Sequence, residues 1–164
     1  MRIRPETTAD HDAIRRLTEA AFAAAEHASG SEARIIDALR DAGALTLSLV
    51  ADIDGRVVGH VALSPVTLDD GTPGWQGLGP VAVDPREQGR GVGSLLVRAV
   101  VAALPGLGAR GCVVLGEPAY YTRFGFRQHT ALRYPDAPAE YFMALSDASV
   151  PDAAVAYHPA FSVA

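Results

Sequence analysis

The sequence predicts an α/β fold (α+β mixed) built on a mixed, mostly antiparallel sheet, and three observations carry that prediction. Asp54-Gly55 is a strong hairpin signal between two strand-like runs, residues 45–53 and 56–66, which it makes antiparallel. Residues 78–97 read LGPVAVDPREQGRGVGSLLV, so an apolar strand pattern, a glycine-rich loop and an apolar helix follow without a break. That helix leads to the apolar run 111–115, which suits a buried strand parallel to the one before the loop.

From the start of the chain, Arg2-Ile3-Arg4 alternates like a first edge strand. Thr7, with Asp10 three residues on, offers a helix cap, and Ile14, Leu17, Ala21 and Phe22 then recur on one face up to about Ala25. Residues 26–30 break that pattern as a loop. Ser31 can cap a second helix with Ile35, Ile36 and Leu39 inward and Gly43 just beyond its end. After the hairpin, the turn cluster 69–74 leads into a strand over 78–83, completing a three-stranded meander. The central helix covers about 92–104, and residues 120–124 form a short helix stopped by Gly125. In the tail, 141–145 and 155–157 read as strands, and the first offers an exposed edge through which a homodimer could pair.

The composition narrows the function classes. A chain of 164 residues fits one domain, 1–164, and its 49% hydrophobic and 20% charged residues argue against disorder. A net charge of −5 disfavours nucleic acid and mildly favours a cationic acceptor. The single Cys112 excludes a disulfide-stapled secreted domain, and inside an apolar strand it reads as a small core residue. The start, MRIRPETT, has no apolar signal region, and no run reaches membrane-spanning length, so the expectation is a cytoplasmic protein without a membrane partner. His11, His27, His60, His129 and His158 are scattered, so no metal is expected.

The glycine-rich loop is the chemical centre. The first amides of a helix have no intrahelical acceptor and carry the positive end of its dipole, so an anion is held there. Gly89, Gly91 and Gly93 let the backbone close around it, and Arg86 and Arg90 add positive charge. A Walker loop needs a lysine that this stretch lacks, and a G-x-G-x-x-G dinucleotide fingerprint fails at Ser94. Gln88, Gly91 and Gly93 instead match Q/R-x-x-G-x-G/A. Downstream, Tyr121 stands four residues before Gly125-Phe126. Together these motifs resemble the GNAT superfamily of acetyl-CoA-dependent N-acetyltransferases over roughly residues 1–130, and the element order resembles the GNAT fold.

The resemblance implies a GNAT-like sheet with helices on both faces and a splayed parallel strand pair. It implies an acyltransferase that moves an acetyl group from acetyl-CoA to a primary amine, on a small molecule, peptide or protein, by direct attack in a ternary complex. Pro80 inside a strand predicts an edge or a bulge, and the family bulges this strand. The backbone of Val81, Ala82 and Val83 would then hold the pantetheine arm and stabilise the oxyanion. Gln88, Gly89, Arg90, Gly91, Val92, Gly93 and Ser94 would bind the pyrophosphate, and Tyr121 would protonate the departing thiolate as general acid. Tyr120 beside it is expected to pack. No single base stands out among Glu26, His27, Glu32, His60 and Glu117, which leaves a non-catalytic acyl-CoA-binding sensor as the alternative. By fold position, the loop from Glu26 to Ser31 would cover the acceptor.

Overall fold

The structure, a computed structural model, describes residues 1–23 and 30–163. Strand β1 (Arg2–Pro5) runs through a single 3-10 turn into helix α1 (His11–Phe22). Thr7 and Asp10 form the expected capping box, the Thr7 amide donating to the Asp10 carboxylate at 2.7 Å. Arg4 donates to Asp10 at 2.8 Å and to Asp52 at 3.0 Å, tying the first strand to the start of the helix and to the sheet. Helix α2 (Glu32–Asp41) follows Ser31 at its N-cap and gives way to Gly43 in the left-handed region, φ 66°. The expected extension of α1 to Ala25, and the candidates Glu26 and His27, lie outside the described residues.

Strands β2 (Leu47–Ile53), β3 (Arg56–Leu68) and β4 (Trp75–Val83) form the predicted antiparallel meander. Its first turn has Asp54 at φ 51° and Gly55 at φ 85°, the positive values that a two-residue hairpin with a right-handed twist requires. Strand β4 begins three residues earlier than its apolar pattern suggests, at Trp75. Helix α3 (Val92–Ala103) crosses to β5 (Gly111–Leu115), which lies parallel to β4 from Trp75↔Gly111 to Leu78↔Val114. Next come α4 (Pro118–Tyr121) and one 3-10 turn that ends on Gly125, φ 99°. The tail adds β6 (Leu132–Arg133), β7 (Phe142–Leu145) and β8 (Ala153–Tyr157).

The sheet runs β1-β2-β3-β4-β5-β7, and β8 pairs with the far end of β3 and with β6. The outer edge of β7 is partly closed, because Arg127 and Ala144 exchange backbone hydrogen bonds of 2.9 and 2.8 Å. Helices cover both faces. Leu49 and Ala51 face Val92, Leu96 and Val100 of α3, while Val50, between them, faces Ile14 of α1 and Ile36 of α2. Each of these buried valine, leucine and isoleucine side chains contributes about 1.5–3 kcal/mol of transfer free energy. Among the described residues no helix is long and apolar enough to cross a membrane.

The bulge that Pro80 predicts is present in the middle of the sheet rather than at an edge. Val61 pairs with Val81 and Leu63 with Leu78, so Gly79 and Pro80 together oppose Ala62 alone. Gly79 takes φ 130°, a region that favours glycine. Pairing between β4 and β5 ends at Leu78, while β4 continues beside β3 to Val83. From Gly79 onward the two parallel strands part, and the β5-facing backbone of β4 is left without ladder partners among the described residues.

Candidate active site

Two features converge on that parting. The first is the glycine loop between β4 and α3. Gly89 and Gly91 take φ 79° and 83°, and Gly91 is the N-cap of α3. The first intrahelical bond runs from the Leu95 amide to the Gly91 carbonyl at 3.1 Å, so the amides of Val92, Gly93 and Ser94 precede it without an intrahelical acceptor. Gln88 donates its side-chain amide to the Val83 carbonyl at 3.1 Å, pinning the loop to the end of β4. Val92 is buried against Gly59, where a Cβ would come within 2.8 Å of its Cγ1, so the helix start sits close upon the sheet. Arg86 pairs with Asp84 at 2.9 Å and Arg90 with Glu87 at 3.3 Å, both guanidinium groups standing largely in solvent.

The second feature is the short helix α4. Gly116 leaves room for the Tyr121 ring, which packs edge-on against Phe126 at 6.0 Å. Burial pushes the Tyr121 hydroxyl up to about 12, with the neighbouring Tyr120 adding to the rise, so it keeps its proton at neutral pH. Tyr120 does more than pack. Its hydroxyl lies 3.4 Å from Ser94 Oγ, and Arg123 stacks over its ring at 4.8 Å. Arg123 also donates to Ser94 Oγ at 2.6 Å. Motif matching passed over Tyr120 and Arg123 because their relation to the loop is spatial; the available signal was a cation and an aromatic on the helix that carries Tyr121.

A cavity of about 430 Å³ opens where β4 and β5 part. The bulge from Leu78 to Val81, with Leu115 and Tyr121, forms one side; Phe22, Glu32 and Ile35 come from the two first helices, and Tyr134, Tyr157 and Phe161 from the tail. Glu32 is the one carboxylate among its described lining residues. His60 does not line it. That ring is fully buried on the α1/α2 face of the sheet, with Nε2 2.8 Å from Ser48 Oγ and 3.8 Å from Glu6 Oε1. Glu117 is exposed at the start of α4 and is not part of the lining. Cys112 is buried and its thiol is pushed up to about 12 by that burial, as a core residue should be. No group of three or more metal-ligating side chains occurs among the described residues.

Comparisons with known proteins show the family to which this fold belongs. The profile of the Acetyltransferase (GNAT) family matches residues 11–126. The chain is 40% identical over 127 residues to the uncharacterized N-acetyltransferase YhbS of Escherichia coli (strain K12), covering 77% of this chain and 73% of that protein. A GNAT family acetyltransferase from Brucella melitensis, solved in complex with acetyl-CoA, superposes with a TM-score of 0.87 at 48% identity, over 98% of this chain and 97% of that one. Escherichia coli YhbS in complex with CoA gives the same TM-score at 35% identity, over 99% of this chain and 92% of its own. With the family profile spanning most of the sequence and its fold reproduced end to end, this chain belongs to the GNAT family of acetyltransferases.

Proposed function

We propose that this protein is an N-acetyltransferase that moves an acetyl group from acetyl-CoA to a primary amine by direct attack while both are bound, residues 1–164 acting as one domain in the cytoplasm. One observation carries the reading: a single cavity touches both halves of the chemistry, with the β4 bulge and Tyr121 on one side and Glu32 on the other.

Acetyl-CoA supplies the activated acetyl carbon, and the residues present fit it. The free amides of Val92, Gly93 and Ser94, with the backbone of Gln88, Gly89, Arg90 and Gly91, suit its pyrophosphate. The backbone from Val81 through Ala82 to Val83, paired with β3 but not with β5, suits an extended arm and an oxyanion on its β5 side. Tyr121 keeps its proton until a thiolate needs it. Glu32 takes the proton from the acceptor ammonium, directly or through water. The names of the relatives favour a catalyst over a non-catalytic acyl-CoA sensor. The acceptor is a small-molecule amine or a peptide amine, and the part of the β7 edge left open beside Arg127 is where two copies would pair as a homodimer.

Thermal-shift titration tests the cofactor half. Acetyl-CoA and CoA at about 100 times Kd should raise Tm by roughly 5–10 °C, while ATP and NAD should not. Stabilisation by ATP or NAD alone would refute the assignment of the loop.

A further inference from the structure

The acceptor side of the cavity has a definite chemical character. Tyr134, Tyr157 and Phe161 form a continuous aromatic wall, with ring centroids 5.1 Å apart for the first pair and 5.0 Å for the second. Phe22 and Ile35 face it from the helices. All three wall residues lie beyond residue 126, outside the stretch that matches the family profile. The charge pattern is equally specific. Glu32 is the single carboxylate in the described lining, and the described lining contains no arginine or histidine.

The Tyr157 hydroxyl is buried and has no hydrogen-bond partner among the described residues. Its ring is seated by the absence of a side chain at Gly77, where a Cβ would come within 2.8 Å of Tyr157 Cε1. Burial pushes this hydroxyl well above the usual tyrosine range, so it stays a donor. What this residue presents to the cavity is therefore its ring, because the hydroxyl oxygen is closed to solvent in the packed interior.

We infer that the acceptor is a compact primary amine carried on an aromatic or branched apolar body. The inference rests on the proposed acetyl transfer and deepens it. A free amino acid would bring a carboxylate into a described lining that holds no cation to meet it. A polyamine or an aminoglycoside would bury further ammonium groups among tyrosine and phenylalanine rings with one carboxylate in the described lining to share. Neither suits the described walls as an apolar amine does. A volume of about 430 Å³, at the small end of ligand cavities, holds one aromatic ring and its short amine arm beside the thioester.

The test is release of CoA thiol from acetyl-CoA with 2-phenylethylamine, tyramine, n-butylamine, spermidine, phenylalanine and a short peptide with a free N-terminus. The two arylalkylamines should exceed butylamine, spermidine, phenylalanine and the peptide in kcat/KM by about tenfold or more. Phe161→Leu should erase the preference for an aromatic ring over butyl while leaving CoA binding near wild type. If Phe161→Leu does not fold, Phe22→Leu should narrow the same preference, since Phe22 lines the cavity opposite that wall. A preference for spermidine, phenylalanine or the peptide, or an unchanged preference for the aromatic ring in Phe161→Leu, would overturn the inference. Stabilisation by acetyl-CoA with no arylalkylamine acetylated overturns it while leaving the cofactor reading intact; no stabilisation by acetyl-CoA overturns both.

Discussion

Arg123, on the turn that ends the short helix α4, donates a hydrogen bond of 2.6 Å to Ser94 Oγ in the first turn of α3, so the two motifs separated by a strand in sequence are one unit in space. The guanidinium lies over Tyr120 and Phe124 at 4.8 and 5.3 Å, which holds it beside the free amides. Arg123→Ala should therefore weaken CoA binding by about tenfold, the scale of one hydrogen bond to a charged group, with kcat little changed. Calorimetric titration with CoA checks it; an unchanged Kd would separate Arg123 from the phosphate site.

Tyr121→Phe removes a single hydroxyl from the cavity wall. Turnover should fall by about 10²–10⁴-fold while CoA still stabilises the protein. Because burial pushes that hydroxyl up to about 12, wild-type kcat should show no loss of this acid up to about pH 10. Steady-state rates across pH 7 to 10 are the measurement.

The polar cluster behind the sheet makes a prediction about acid stability. Burial works to raise the Glu6 carboxyl, but contacts from His60, Arg40 and Ser48 outweigh it and hold the group well below the usual carboxylate range. Ser48 has one proton, and it goes to the ionised Glu6, with which its hydroxyl is in close contact. His60 Nε2–H must then donate to Ser48 at 2.8 Å, which leaves Nδ1 a bare, buried acceptor. Burial, with Arg40 assisting against Glu6, keeps His60 below its ordinary value and neutral. Both groups bind protons more readily in the unfolded chain, so stability is full at neutral pH and falls with acid. The loss should begin near pH 6.5 through His60 and steepen below about 4.5 through Glu6, each proton adding up to about 1.4 kcal/mol per pH unit. Urea titrations from pH 4 to 8 measure the slope, and His60→Gln should flatten its upper part.

Gly77→Ala places a methyl within 2.8 Å of the Tyr157 ring and 3.0 Å of Val66 Cγ1. The ring must shift, so stability should fall by about 1–3 kcal/mol and acceptor KM should rise, while CoA binding, on the far side of β4, holds. Parallel urea and calorimetric titrations separate the two effects.

All fourteen cationic side chains are arginine, since the sequence contains no lysine. Incubated with acetyl-CoA alone, the protein should gain no acetyl group on a side-chain amine. Intact-mass spectrometry checks this, and a clean result gives a transfer assay without background from the enzyme.

Much of this architecture could be read from local signals because the elements that build the cofactor side are local. Asp54-Gly55 sets the hairpin, Pro80 marks the bulge, and Gly89 to Gly93 lead directly from β4 into α3. The acceptor side has no such economy. Strand β6 has two residues and no pattern to detect, and β4 starts early because Gln76 and Gly77 interrupt its apolar run. His60 looked like a candidate base because type and strand position are visible in sequence, while the face on which it lies depends on register against Val50. Glu32 could be selected only once helix α2 and the tail were brought to one opening.

That tail also sets the order in which the molecule can be finished as it is made. Val66, Thr67 and Leu68 pair with Tyr157, Ala156 and Val155, so the far end of β3 waits for about 90 further residues. At about 5–20 residues per second this is a delay of roughly 4–18 s, during which two apolar residues stand on an unpaired edge. On the ribosome the loop-and-helix half can form first, and the half that carries Tyr157 and its aromatic neighbours closes last. A chain that stalls between β5 and β8 would carry a formed sheet with one adhesive border, the kind of intermediate that chaperones are built to shield.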